Sequence, residues 1–148
     1  MADQVRVAVV GTGYFGRFHA DHYTRNPRAQ LVAVVDTDQE RAKAVAAEFG
    51  AEAATDYRSI IGRVDAASVA VPTPLHYDIA RELIEAGIHV LVEKPLTDSV
   101  ESGRTLAKLA ETRKAVLQVG HIERYSSAYR SLAKIIACLL YTSPSPRD

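Results

Sequence analysis

Val5-Arg6-Val7-Ala8-Val9-Val10-Gly11-Thr12-Gly13-Tyr14-Phe15-Gly16, then a helical run, then Leu31-Val32-Ala33-Val34-Val35-Asp36: this stretch decides the fold. It reads as a buried strand, a Gly-x-Gly-x-x-Gly turn, a helix, a second buried strand and an acid at that strand's end. Glycines in loops are common, but here strand, glycines, helix, strand and acid occur in the order that dinucleotide binding requires. Gly11 allows the tight turn that carries Thr12. Gly13 has no Cβ, so the backbone can approach a pyrophosphate, and Gly16 lets the helix pack closely on the strand. From Gly13 onward, through Tyr14 and Phe15, the free N–H groups and the positive end of the helix face the phosphates. Asp36 lies about twenty residues past Gly16, where a carboxylate accepts the ribose hydroxyls of the adenosine half, with Thr37 beside it.

The alternation continues outward from there. The helix from Tyr14 to Arg25 carries Phe15, Phe18 and His22 near one face, and Asn26-Pro27 stops it. A helix over Gln39–Phe49 is capped by Asp38 or Thr37, buries Ala42, Val45, Ala46 and Phe49 at helical spacing, and ends at Gly50. A short strand at Ala51–Ala54, a short helix at Tyr57–Ile61 and a strand within Asp65–Val71 follow. Pro72-Thr73-Pro74 breaks the chain before a helix over Leu75–Ala86, with Ile79, Ala80, Leu83 and Ile84 inward. Ile88–Val92 is a fifth strand. Asp98 or Ser99 caps a helix running to Arg113, with Val100, Leu106, Leu109 and Ala110 inward. Ala115–Val119 is a sixth strand, Gly120–Tyr125 a loop, and a last helix runs into Ile136. This pattern predicts an α/β fold, a Rossmann-type doubly wound parallel sheet of order 3-2-1-4-5-6.

With 148 residues, 47% of them apolar and 24% charged, the chain has the composition of one globular domain. Net charge is zero, so neither a nucleic acid nor a membrane surface is expected as a partner. No apolar run approaches the roughly 18 residues of a membrane span. Met1–Gln4 leads straight into the first strand, and no signal peptide is expected. The single cysteine, Cys138, excludes an intrachain disulfide framework. Together these point to the cytoplasm. His19 and His22 share a helix face, but no carboxylate or cysteine completes a ligand set, so no metal is expected. His19 is assigned to packing or to a contact near the cofactor.

Ligands of such sheets bind outside the carboxyl ends of the strands. The chain places Gly11, Asp36, Pro72-Thr73-Pro74 with His76, Glu93-Lys94 and Gly120-His121 at those ends. A generic Glu-Lys pair at a strand end is a solvated ion pair worth little. Here it follows a buried strand and precedes Pro95, which restricts Lys94 to extended geometry and aims it. A lysine at the nicotinamide end can hydrogen-bond a substrate hydroxyl and favour its loss of a proton. Lys94 is thus the candidate catalytic residue. It also separates an enzyme from the alternative, a non-catalytic dinucleotide-binding module or redox sensor, which needs Gly11–Gly16 and Asp36 but no aimed lysine. Asp36 would repel a 2′-phosphate by about 1 kcal/mol in water and about 4 at an effective dielectric of 20, favouring NAD over NADP by one to three decades, partly offset by Arg41.

Gly11-Thr-Gly-Tyr-Phe-Gly-Arg-Phe-His-Ala20, Pro72-Thr-Pro-Leu-His76 and Glu93-Lys94-Pro95 together resemble the glucose-fructose oxidoreductase / inositol dehydrogenase / rhizopine catabolism family over Val5 to about Ile136. The resemblance implies hydride transfer between NAD and a sugar, sugar nucleotide or cyclitol carbon, in a protein with a second, C-terminal α+β domain. It implies that Pro72, Thr73, His76 and Glu93 line the cofactor groove. It further implies that Lys94 sits beside substrate and nicotinamide ribose, with a cis Lys94–Pro95 peptide. Gln118-Val-Gly-His-Ile-Glu-Arg-Tyr125 looks most like the subgroup acting on nucleotide-activated amino sugars, the UDP-N-acetylglucosamine 3-dehydrogenase kind, in which His121 and Arg124 reach toward the substrate. Relatives associate through the second domain, so homo-oligomers are expected of the full-length protein only.

Two features depart from that pattern. The family's Asp-x-x-x-His segment, the usual source of the general acid or base, has no equivalent in residues 1–137. Residues Cys138 to Asp148 also differ in style from the rest of the chain. One valid coding of them resembles a transposase-type sequencing-library adapter read in frame. Residues 1–137 are therefore expected to be a truncated cofactor domain, inactive alone, and 138–148 a tail foreign to it.

Overall fold

The computed structural model of the protein describes residues 4–139. Six strands, β1 (Val5–Val10), β2 (Ala29–Val35), β3 (Glu52–Ala54), β4 (Ala66–Val69), β5 (His89–Val92) and β6 (Leu117–Val119), form one sheet. The order is β3-β2-β1-β4-β5-β6 and every pairing is parallel, as the sequence pattern predicts. Five helices connect them: α1 (Tyr14–Arg25), α2 (Gln39–Phe49), α3 (His76–Glu85), α4 (Val100–Arg113) and, after β6, α5 (Ser127–Leu139).

Side chains alternate across a strand, and the central strands are covered on both faces. Val9 and Val34 pack with Ala20, Val45 and Ala46 beneath α1 and α2. Their neighbours Ala8, Val10, Ala33 and Val35 face the opposite layer, with Leu83 and Ile84 of α3 and Leu106 and Ala110 of α4. Two buried faces explain why these strands read as unbroken apolar runs rather than as alternating ones. The start of β1 is tied to the approach of β4: Asp65 accepts from the Arg6 main-chain N–H at 2.8 Å and from its guanidinium at 2.6 and 3.2 Å.

The expected inward faces hold for α2 and α3, and in α4 one residue departs from its expected place. In α1 the buried residues are Gly16 and Ala20, whereas Phe15 and Phe18 are 42% and 48% exposed. A helix this close to its sheet accepts only small residues on the contact side, so the aromatic rings turn outward. Val100, expected inward, is 73% exposed at the first position of α4. Boundaries also move. β4 ends at Val69, two residues early, because the chain there crosses the Gly11 turn, where Ala70 N–H bonds Val10 O at 2.8 Å. Thr73–Leu75 is a 3₁₀ turn, and α3 begins only at His76. α5 continues past Ile136 through Leu139, while residues 140–148 of the expected foreign tail lie outside the described residues. Among the described residues no helix is long and apolar enough to cross a membrane.

Ser99 caps α4, its hydroxyl accepting from Ser102 N–H at 3.1 Å. Ser99→Ala is expected to lower the unfolding free energy by about 1 kcal/mol, read as a fall in the urea midpoint at constant slope.

Candidate functional site

The three glycines of the turn differ in what surrounds them. Gly11 has φ +89°, and a Cβ there would stand 2.5 Å from Ala70 O. A Cβ on Gly16 would stand 1.7 Å from Gly11 O, so this residue fixes how near α1 lies to β1. Gly13 differs: nothing lies within 4 Å of where its Cβ would be. It is the N-cap of α1, and no side chain satisfies the first N–H groups of that helix. An open approach to unsatisfied donors at a positive helix end suits an anion such as a pyrophosphate.

Asp36 follows β2 and is 6% exposed. Its Oδ2 accepts from Thr12 N–H and Thr12 Oγ1–H, both at 2.8 Å, and from Arg41 Nε at 3.0 Å. Its Oδ1 accepts from Asp38 N–H at 3.0 Å and from Arg41 Nη2 at 2.6 Å. Burial alone would push this carboxyl up. The Arg41 fork, the Asp38 and Thr12 N–H groups and the Thr12 hydroxyl together outweigh burial and hold it well below the usual carboxylate range. Thr12 is itself buried, and its side chain serves Asp36.

From this carboxylate a groove of about 740 Å³ runs along the sheet edge, past Gly11, Gly13, Thr37 and Pro72. Its far wall is Tyr57 and Arg58, with the guanidinium 4.7 Å from the ring centroid and paired with Glu82 at 2.9 Å. On the other side of the turn, Tyr14, Phe15, His19, Glu93 and Ile122 line a smaller hollow of about 330 Å³.

Lys94–Pro95 is a cis peptide. Lys94 is exposed, and its Nζ lies 5.7 Å from the Phe15 ring centroid, within cation–π range. Glu93 is buried and accepts from His19 Nε2 at 2.9 Å. His76 is 1% exposed and lies beneath the edge rather than on it. Its Nδ1 and Nε2 face Pro95 O at 2.9 Å and Val71 O at 2.8 Å, so the ring holds two proline-marked strand ends together. Thr73 sits half-buried in the 3₁₀ turn. His121 and Arg124 follow β6, both exposed, and neither lines the groove or the hollow.

The edge therefore brings together the turn, Asp36, Thr37, Pro72, Glu93 and Lys94. Sequence reasoning missed the Tyr57–Arg58 wall and the Tyr23–Ser68 hydrogen bond of 2.7 Å beneath His19. The serine inside the apolar run Ala66-Ala67-Ser68-Val69 was the available sign of the second. The open helix end at Gly13 fits the pyrophosphate of an adenine dinucleotide, and Asp36 fits its ribose once Arg41 gives up its place on the carboxylate.

The model of the oxidoreductase family with an NAD-binding Rossmann fold matches residues 5–121. UDP-N-acetylglucosamine 3-dehydrogenase of Acidithiobacillus ferrooxidans is 39% identical over 128 residues, 86% of this chain and 40% of that protein. Inositol 2-dehydrogenase of Rubrobacter xylanophilus is 36% identical over 92% of this chain and 40% of its own length. The crystal structure of GenD2 from gentamicin A biosynthesis, in complex with NAD, superposes with a TM-score of 0.89 at 37% identity, covering 93% of this chain and 40% of that one. The chain thus spans about 40% of the length of these relatives.

Proposed function

The chain belongs to the oxidoreductase family with an NAD-binding Rossmann fold, and on that premise we propose that it is the cofactor-binding part of a dehydrogenase. The reaction is hydride transfer at a hydroxyl-bearing carbon of a sugar, sugar nucleotide or cyclitol. The observation that carries the reading is the contrast among the three glycines: two are jammed against main chain, and the one at the helix end faces open space. The nicotinamide, when bound, supplies the hydride donor or acceptor. The chain's own residues bind and orient it: the N–H groups from Gly13 onward hold the pyrophosphate, and Asp36 takes the adenosine ribose. Lys94 meets the substrate hydroxyl and lowers the cost of its deprotonation. His121 and Arg124, on the same edge, suit the phosphates or sugar of a nucleotide-activated substrate, in keeping with the similarity to the UDP-N-acetylglucosamine enzyme.

Arg41 sets the choice between NAD and NADP. Asp36 already accepts five hydrogen bonds, about as many as a carboxylate can hold. A ribose diol must displace a donor, and the half-exposed Arg41 is the one free to leave. Once displaced, it stands where it can neutralise a 2′-phosphate. The preference for NADH in the wild type is therefore expected at the low end of the electrostatic range, about tenfold. Arg41→Ala leaves NADH binding unchanged or tighter and weakens NADPH, raising the preference to about a hundredfold or more. Titrating nucleotide fluorescence with each protein checks both values. The same titration tests the function: saturable NADH binding without turnover of UDP-N-acetylglucosamine is expected of these 148 residues. Failure to bind either nucleotide would sink the reading.

A further inference from the structure

Beneath the hollow, a row of polar side chains crosses from α1 to the ends of β4 and β5. Tyr23 Oη lies 2.7 Å from Ser68 Oγ, Ser68 Oγ lies 3.4 Å from His19 Nδ1, and His19 Nε2 lies 2.9 Å from Glu93 Oε1. Ser68 is 0% and Glu93 7% exposed, so both must find their partners inside the protein. With an ionised Glu93 and a neutral His19 ring, the chemistry of the groups sets the direction of each bond. An ionised carboxylate only accepts, so the hydrogen sits on His19 Nε2. Nδ1 of the neutral ring is then an acceptor and takes the Ser68 hydroxyl hydrogen, leaving Ser68 to accept from Tyr23. Burial pushes the Tyr23 phenol up, against the smaller effect of its Ser68 bond, which suits it to be the donor at the end of the row. At the other end, Glu93 Oε2 accepts from Lys94 N–H at 3.3 Å. The carboxylate rests on Gly120, where an added Cβ would stand 3.0 Å from Oε1.

From this geometry we propose that His19 is a positioning residue. Held as its Nε2–H tautomer by the Tyr23–Ser68 pair, it fixes the Glu93 carboxylate, and Glu93 fixes the main chain of Lys94. The value of that placement rests on the reading of Lys94 as the group that meets the substrate. The absent side chain at Gly120 belongs to the same arrangement, because an added Cβ would press the carboxylate that His19 holds out of its place by a few tenths of an ångström.

The test is nuclear magnetic resonance on the 148-residue chain, following the imidazole nitrogens of His19 and the backbone amide of Lys94. In the wild type the proton is expected on Nε2, with Nδ1 bare. Ser68→Ala and Tyr23→Phe should shift Nδ1 while the proton stays on Nε2. His19→Leu should move the Lys94 amide resonance, and His19→Gln, whose amide N–H can reach Glu93, should bring it back toward the wild-type position. A proton on Nδ1, or a Lys94 amide unmoved in a folded His19→Leu protein, overturns the proposal. If His19→Leu does not fold, Tyr23→Phe decides, since it keeps the ring and removes only the donor: an unmoved Nδ1 then overturns it. Titrating NADH into the same samples separates the two claims. Wild-type protein that shows the tautomer and the coupling but binds no NADH refutes the cofactor reading and upholds the placement of Lys94 by His19.

Discussion

Gly16→Ala is expected to lower the unfolding free energy by about 3 kcal/mol and to abolish NADH binding at accessible concentrations. Alanine is the better helix former by about 1 kcal/mol, so propensity alone predicts the opposite sign. The contact decides: the new methyl would stand 1.7 Å from Gly11 O, an atom of a buried turn that cannot give way. α1 must then move off β1, opening the layer in which Ala20 packs with Val9 and Val34 and carrying the helix end away from the groove. Gly13→Ala is the control. Its methyl meets nothing within 4 Å, and its φ of −66° suits any residue. Stability should therefore stay within about 0.5 kcal/mol, while NADH affinity falls because the methyl fills the approach to the pyrophosphate. Urea denaturation and NADH fluorescence read the two effects separately. Equal destabilisation by both substitutions would contradict the division of labour among the three glycines.

Asp36→Asn is expected to cost about 3 kcal/mol at neutral pH, although it preserves shape. Every neighbour of the carboxylate is a donor. An amide NH₂ on the Oδ2 side would face Thr12 N–H, Thr12 Oγ1–H and Arg41 Nε, and on the Oδ1 side Asp38 N–H and Arg41 Nη2. One buried N–H loses its acceptor in either orientation. The pH dependence follows from the depressed carboxyl. Its folded value lies below its unfolded value of about 3.9, so the unfolded chain takes up the proton first and stability falls with pH. The contribution is complete above about pH 5 and drains away as pH drops through the unfolded value toward the folded one. The gap between wild type and Asp36→Asn, measured by urea denaturation, should hold constant from neutral pH down to about 5 and narrow below 4. A gap that stays constant into acid would show that the carboxylate is not stabilised by its charge.

Much of this was legible in the sequence because the physics is local. Gly50 and Ser99 mark helix ends through caps that involve only their neighbours. Strand order followed from the glycine turn and the crossover rule, since few topologies satisfy both. What escaped was set by distance in space. That Phe15 and Phe18 turn outward depends on how near α1 lies to β1, a separation fixed by Gly16 and Gly11 and invisible to the helical period. Arg41 was legible as a charge near Asp36, but its two-pronged bond was not. Its consequence, a carboxylate already saturated before any ribose arrives, needed the Thr12 and Asp38 donors as well. His76 could be placed at the edge from its position after Pro74. Its turn inward onto Pro95 and Val71 depends on two loops meeting.

The fork between Arg6 and Asp65 has a consequence for how the chain assembles. β1 pairs with β2 through a local crossover, but its other neighbour, β4, ends only at Val69. At 5–20 residues per second, a nascent chain therefore carries β1 with one bare edge for about two to seven seconds after β2 is made. Such an edge recruits whatever strand is nearby. Val7–Val10, apolar on both faces, offers an arriving strand little to tell one alignment from the next. The guanidinium and main-chain N–H of Arg6 all donate to one carboxylate, that of Asp65, the residue that leads β4 in. A solvent-exposed ion pair that adds little to equilibrium stability thus acts as the index mark against which the late strand is aligned.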